Sequence, residues 1–136
     1  MKEQSVSIRC HAERQTATLL RRMADQAGRA ASSDDADTVH DLRVSIRRFS
    51  QALRIFRQFF PHGAAKKIRR RLKRLMAAAS EVRNRDIALE LLEQAGEPRN
   101  ERLVEERRRA GKDLRAALKR WSRRNTQQRW RARLGV

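Results

Sequence analysis

The feature that most constrains the fold is an apolar seam between residues 39 and 60. Its members are separated by steps of three and four residues, the spacing that places side chains on one face of an α-helix. The seam consists of Val39, Leu42, Ile46, Phe49, Leu53, Phe56 and Phe60. A helix with such a face buries it against other elements. The spacing therefore predicts a long helix packed against neighbours through this seam.

A second stripe follows the first, displaced by one residue along the chain. It is cationic, with Ser50 filling a gap, and it contains His40, Arg43, Arg47, Arg54 and Arg57. One residue corresponds to about 100° around a helix, so the cationic stripe borders the buried seam. Because like charges at helical spacing repel one another, we interpret this stripe as a surface for a polyanion.

The basic residues are unevenly distributed along the chain, whose formal net charge is +18. Residues 38–80 contain 12 Lys and Arg against one acidic residue, and residues 98–136 contain 14 against four. Residues 81–97 are acidic instead, with five acidic residues and two arginines. A solubilising surface is served by mixed signs, whereas an excess of this size is typical of proteins that bind polyanions.

Four helices are predicted, because Ala, Leu, Arg and Glu are abundant and Tyr is absent. Their predicted ranges are 2–31, 38–60, 64–95 and 99–121, with an extension to residue 130 left open. Asp37 or Thr38 is the expected N-cap of the second helix, and Pro61 and Gly63 mark its end. Short connections between long helices favour an all-α, antiparallel up-down four-helix bundle. Residues 1–124 are assigned to this bundle, and residues 125–136 to a basic tail or a helix extension.

The third predicted helix carries basic residues on both sides of its own apolar seam. One flank holds Arg69, Lys73 and Arg83, and the other holds Lys67, Arg71, Arg74 and Arg85. The second and third helices are joined by a tight turn, so they should be antiparallel neighbours whose cations form one groove. The sequence does not decide which flank of the third helix faces the second.

Several classes of function find no support in the sequence. Cys10 is alone, so no internal disulfide can form, and no apolar run approaches the ~20 residues of a membrane span. Motifs of nucleophilic catalysis, phosphate loops and metal-binding spacings are missing. We expect a cytoplasmic protein that is not an enzyme, has no cofactor or metal and does not enter a membrane.

The basic helix resembles the signature of the CHAD domain, a conserved-histidine α-helical family. His40-Asp41-Leu42-Arg43-Val44, followed by Ile46-Arg47-Arg48-Phe49, is similar to the H-x-x-R-V-x-x-R-R helix of that family. Residues 81–87, EVRNRDI, are similar to its L-G-x-V-R-D-x-D-V stretch. The resemblance implies an α-helical module that binds inorganic polyphosphate, and it implies association with polyphosphate granules. His40, Arg43, Arg47 and Arg48 match the first motif, Arg83 and Asp86 match the second, and Lys73 is a looser match.

The chain departs from the family pattern in two ways. Ala79 and Ser80 stand where the family usually has Leu-Gly. CHAD domains also commonly contain two four-helix bundles, whereas this chain has length for one. We hypothesise that a second copy supplies the other bundle in a homodimer.

We therefore predict non-catalytic binding of polyphosphate in a basic groove on helices two and three. The predicted binding residues are His40, Arg43, Arg47, Arg48, Arg54, Arg69, Arg70, Lys73, Arg74 and Arg83. The alternative is a nucleic-acid-binding, nucleoid-associated helical protein, which the charge would also suit. A third hypothesis is an adaptor that recruits proteins to granules or acidic surfaces.

Overall fold

The computed structural model describes residues 2–136 and contains five α-helices and one short 3-10 helix. The helices are α1 (Lys2–Ser32), α2 (Ala36–Ile55), α3 (Ala64–Gln94), α4 (Glu101–Arg123) and α5 (Thr126–Leu134). The 3-10 turn, Arg57–Phe59, lies between α2 and α3. The described range holds no strand, so the all-α prediction is confirmed. The number of helices is five rather than the expected four, because the C-terminal segment forms a helix of its own.

The four long helices surround one core. α2 and α4 each pack against both α1 and α3. The predicted seam of α2 lies in this core, where Val39, Leu42, Phe49 and Leu53 are fully buried. The seam of α3 joins them through Ile68, Leu72, Leu75, Ala79 and Val82. Burying these faces is the main stabilising contribution to the fold, at about 1.5–3 kcal/mol for each large apolar side chain.

Both ends of α2 differ from the expectation. Asp35, not Asp37 or Thr38, is the N-cap, because its carboxylate accepts the backbone N–H of Thr38 at 2.8 Å. That hydrogen bond favours the ionised carboxylate and lowers the pKa of Asp35. At the other end, α2 stops at Ile55, and the 3-10 turn carries Phe60 into the core instead of continuing the helix.

Residues 125–136 form neither a tail nor a straight continuation of α4. Asn125 adopts a left-handed conformation with φ of 52°, which breaks the helix and reverses the chain direction into α5. Trp130 of α5 is buried, stacking on Phe49 and meeting Trp121 edge-on at ring distances of 6.1 and 5.5 Å. The packed unit therefore includes the C-terminal segment.

A group of ion pairs fixes the loop between α1 and α2 to the α3–α4 side of the bundle. The guanidinium of Arg107 in α4 donates to Asp86 of α3 at 2.8 Å and to the carboxylate of Asp34 at 3.3 Å. Burial lowers the pKa of Arg107, but the hydrogen bonds that it donates to the carboxylates of Asp86 and Asp34, and their negative charges, outweigh burial and raise that pKa. Arg115 adds a second contact to Asp34 at 2.9 Å. These contacts join the loop that precedes α2 to α3 and α4.

Candidate anion-binding groove

A groove of about 480 Å³ runs between α2 and α3. Cationic side chains line it from both helices, namely Arg47 and Arg54 of α2 with Arg69 and Lys73 of α3. Its floor is apolar and consists of Ile46, Leu72 and Met76. The cations therefore lie beside a surface of low dielectric constant. Their electric field is screened less there than it would be on a fully hydrated surface.

The groove identifies the flank of α3 that faces α2, a point that the sequence left open. Arg69 and Lys73 lie one residue after the buried seam, and both line the groove. Further along the same flank, Arg83 lies close enough to Arg43 for its charge to act on it. Arg54, near the end of α2, shares the groove with Arg69, near the start of α3, whereas Arg43, nearer the start of α2, contacts Ser80 further along α3. The two helices are therefore antiparallel here.

Arg43 occupies the end of this surface that is nearest the start of α2. Its Nε donates a hydrogen bond to the hydroxyl of Ser80 at 3.4 Å. Burial lowers the pKa of Arg43, and the positive charges of Arg47 and Arg83 lower it further. An anion placed between these three guanidiniums would relieve the repulsion that their proximity creates.

His40 stands one helical turn before Arg43, on the same flank of α2, and its side chain is exposed. The flank therefore presents His40, Arg43 and Arg47 in sequence along one side of the helix. Within residues 2–136, neither His40 nor any cation of the groove makes an ion pair with a carboxylate. Internal carboxylates therefore leave this surface open to an external anion.

The ion pairs of the described chain are concentrated on the opposite side of the molecule. Nine are present, and their basic members are Arg85 of α3 and six arginines in or just before α4. Hydrogen bonds from Arg108 hold the pKa of Glu105 down to about 2. Several of these arginines stand three or four residues from their glutamate partners, the spacing at which such pairs form on a helix. Much of the C-terminal positive charge is thus balanced internally, whereas the charge of the groove is not.

Three of the predicted site residues lie away from the groove. Arg48 lies on the side of α2 that faces α1, where it lines a cleft that also contains Asp25 and Asp41. Its position is one residue, or about 100°, past Arg47. Ala78 and Arg85 line a cleft between α3 and α4, and Arg74 lies on the same flank of α3, one turn before Ala78. Arg70 is exposed on the outer face of α3. Residues that are adjacent in a sequence motif, such as Arg47 and Arg48, point to different sides of a helix.

The sequence did not predict the contacts that Ser80 and Asp86 make with other helices. Ala79 is fully buried where the family pattern has Leu, and Ser80 projects its hydroxyl to Arg43. The signal for Ser80 was its place on the flank of Lys73 and Arg83, at steps of seven and three residues. Asp86 matches the second motif together with Arg83, but its ion-pair partner is Arg107 on α4.

No group of His, Cys, Asp and Glu within residues 2–136 is arranged to hold a metal ion. Among these residues, no helix is long and apolar enough to cross a membrane.

Comparison with known families gives one result. The model of the CHAD domain matches residues 14–135, nearly the whole chain. Neither the curated proteins nor the solved structures contain a match. The chain belongs to the CHAD family, and the match extends through α5.

Proposed function

We propose that this CHAD domain binds inorganic polyphosphate, without catalysis, in the groove between α2 and α3. The observation that carries the proposal is the row of cations along both walls of the groove, none of which has a carboxylate partner within residues 2–136. Membership of a family associated with polyphosphate supports the same ligand.

The arrangement suits a linear anion with many phosphates. From His40 to Arg54 the cationic flank extends about 21 Å, at ~1.5 Å per residue. Guanidinium groups donate in a planar fork that matches two phosphate oxygens, whereas Lys73 supplies a point charge and His40 a further donor. Orthophosphate would reach one cation pair at a time, and a long polymer would engage the whole flank. Release of condensed counterions would add to the affinity and make it fall with salt.

The groove lacks the groups that would make or break a phosphoanhydride bond. No carboxylate lines it to act as a general base, and its described lining consists of basic, polar and apolar side chains. We therefore propose a binding module that holds the polymer and so places the protein on polyphosphate granules.

Nucleic acid is the alternative ligand, and the positions of the aromatic residues do not favour it. Proteins that hold single strands usually stack bases on exposed aromatic rings. Trp121 and Trp130 pack edge-on against each other, and no aromatic side chain lines the described groove. The charge alone favours DNA as much as polyphosphate, so a direct competition is needed.

The test is displacement of labelled long-chain polyphosphate from the full chain by unlabelled competitors at equal phosphate concentration. Unlabelled polyphosphate should displace the label, and duplex DNA and heparin should do so poorly. Displacement by DNA at the same or lower phosphate concentration would overturn the proposal in favour of a nucleic-acid-binding protein.

A further inference from the structure

The hairpin formed by α3 and α4 extends beyond the other two long helices. Arg107 marks the level at which they end, because it pairs both with Asp34, in the loop between α1 and α2, and with Asp86 of α3. α3 continues for eight residues past Asp86, to Gln94, which is about 12 Å at ~1.5 Å per residue. We call residues 87–106, which include the turn between the two helices, the hairpin end.

The face of α3 that is buried in the bundle becomes acidic in the hairpin end. In the body of the helix this face carries core residues such as Ala79 and Val82. Steps of three and four residues continue it through acidic positions, namely Asp86, Glu90 and Glu93, and Glu97 follows in the turn. Asp86 pairs with Arg107, but the three glutamates take part in none of the ion pairs of residues 2–136. Carboxylates without a cationic partner in the described chain therefore continue a face that is apolar elsewhere.

Two properties of the helix make these carboxylates unfavourable in the free protein. Glu90 and Glu93 are three residues apart, so they are neighbours on the helix surface and repel each other. Glu93 also lies in the last turn of α3, where the backbone carbonyl groups present partial negative charge. That turn, residues 91–94, contains no basic residue to offset it. A cation supplied by a partner would relieve both repulsions.

Apolar side chains border the acidic positions on both sides. On one side is a cleft of about 740 Å³ between α3 and α4, whose lining includes Leu89, Leu92, Glu93, Glu97 and Val104. The three arginines that also line it, Arg99, Arg107 and Arg108, all pair with carboxylates. On the other side, Ile87 and Leu91 are 38% and 60% exposed. Exposed apolar side chains grouped in this way mark association surfaces.

The combination of charge and apolar surface indicates the chemistry of the partner. An amphipathic helix docks by placing its apolar face in a groove, and the charges beside that face select partners by sign. Carboxylates between apolar side chains are complementary to a helix in which lysine or arginine alternates with leucine-like residues. A second copy of the hairpin end would instead bring its own glutamates against these glutamates. Since the chain as a whole carries +18, a basic helix is repelled by most of the molecule and attracted at this end.

We propose that the hairpin end is a docking surface for a basic amphipathic helix of another protein. The cations of that helix pair with Glu90, Glu93 and Glu97, and its apolar side chains cover the leucines beside them. The described linings of the cleft and of the basic groove have no residue in common. The chain can therefore hold a polyanion and a protein partner at the same time, and docking does not depend on the proposed binding of polyphosphate.

The test measures binding of a labelled helical peptide of leucine and lysine to the full chain by fluorescence anisotropy. The peptide has about 18 residues, enough to form a helix, with its leucines at steps of three and four. Polyphosphate is left out, because it would bind the peptide itself. The wild type should bind at about 0.15 M salt. Glu93→Lys should bind at least about tenfold more weakly, because it places a cation against the cations of the peptide.

Glu13→Lys is the matched control, since it changes the net charge by the same amount at the other end of the bundle. Glu13 lies two residues from His11, which contacts Phe56 just beyond the end of α2. This variant should bind the peptide as the wild type does, and circular dichroism should show equal helix content in all three proteins. A peptide with serine in place of leucine should bind the wild type at least about tenfold more weakly, because it cannot cover the apolar side chains.

Failure of the wild type to bind the leucine-lysine peptide would overturn the proposal. Equal binding by the wild type and Glu93→Lys would place the peptide elsewhere and also overturn it. Light scattering without peptide tests a second copy as the occupant, and a dimer that Glu93→Lys disrupts would contradict docking of another protein. A wild type that binds the peptide but no polyphosphate would refute the proposed function and leave the docking surface standing.

Discussion

Arg43 and Arg107 are both half-buried arginines, but they differ in what surrounds them. Arg107 has the carboxylates of Asp86 and Asp34 beside it, whereas Arg43 has a serine hydroxyl and two other guanidiniums. The first environment neutralises the charge internally. The second leaves it available, and the hydrogen bond from Nε to Ser80 keeps the two terminal nitrogens free to donate to a ligand.

We predict that Ser80→Ala weakens polyphosphate binding by about 0.5–1.5 kcal/mol, the usual contribution of one hydrogen bond. The loss would reflect a less ordered Arg43, so the melting temperature should hardly change. Ser50→Ala is the control, because Ser50 lines the groove and makes no hydrogen bond to a guanidinium in the described chain. Isothermal titration calorimetry with polyphosphate would measure the affinity of both variants. Equal losses of affinity would show that the contact of Ser80 with Arg43 does not contribute to binding.

Arg47 and Arg48 provide a test of direction around α2. Arg47→Ala should weaken polyphosphate binding by about 1–3 kcal/mol, the scale of a lost charged hydrogen bond. Arg48→Ala removes the same charge from the side of α2 that faces α1 and should have little effect. Titration with long-chain polyphosphate measures both variants, and similar losses would mean that the ligand does not distinguish the two faces.

At the scale of elements, periodicity predicted the buried faces of α2 and α3, but it did not predict which flank of α3 faces α2. The steps between Val39 and Leu53 are a local property, and they place the seam and the cationic stripe of α2. Which flank of α3 meets that stripe depends on the order of the helices around the core. That order is set by contacts between distant segments, such as Arg107 with Asp34. No local spacing encodes it.

The short helix α5 was harder to predict than the long ones. Its nine residues contain three apolar positions among polar and basic ones, too few to show a helical period. Trp130 is the exception, because a tryptophan in a basic segment is a large apolar group that gains free energy from burial. Its stacking partner, Phe49, could not be read from the sequence.

We predict that Trp130→Ala lowers the free energy of unfolding by about 3–5 kcal/mol, the usual effect of truncating a buried aromatic residue. Urea denaturation followed by circular dichroism would measure the change. A loss below about 1 kcal/mol would place α5 outside the packed unit.

The ion pairs of Arg107 lead to a complementary prediction about α4. Arg107→Ala should destabilise the fold by about 1–3 kcal/mol, because it leaves two half-buried carboxylates without their donor. The folded fraction should keep its affinity for polyphosphate, since Arg107 is not in the groove. Denaturation and titration of the same protein test both statements. A large loss of affinity with unchanged stability would reverse the role assigned to Arg107.

At the scale of the whole molecule, the distribution of carboxylates matters more than the net charge. The sequence established the excess of +18 and its concentration in residues 38–80 and 98–136. Glutamates of α4 pair with arginines three or four residues away on the same helix, as in Arg102 with Glu106 and Arg108 with Glu105. Pairs between helices, such as Arg107 with Asp86, required the three-dimensional arrangement.

The central claim is that polyphosphate binds in one groove and not diffusely on a basic protein. Two double variants, Arg43→Ala with Lys73→Ala and Arg123→Ala with Arg124→Ala, lower the net charge by the same amount. The affinity of each for long-chain polyphosphate should be measured over a series of salt concentrations. We expect the groove variant to bind at least about tenfold more weakly, with a shallower salt dependence, and the α4 variant to stay close to the wild type. Equal losses in the two variants would contradict the account.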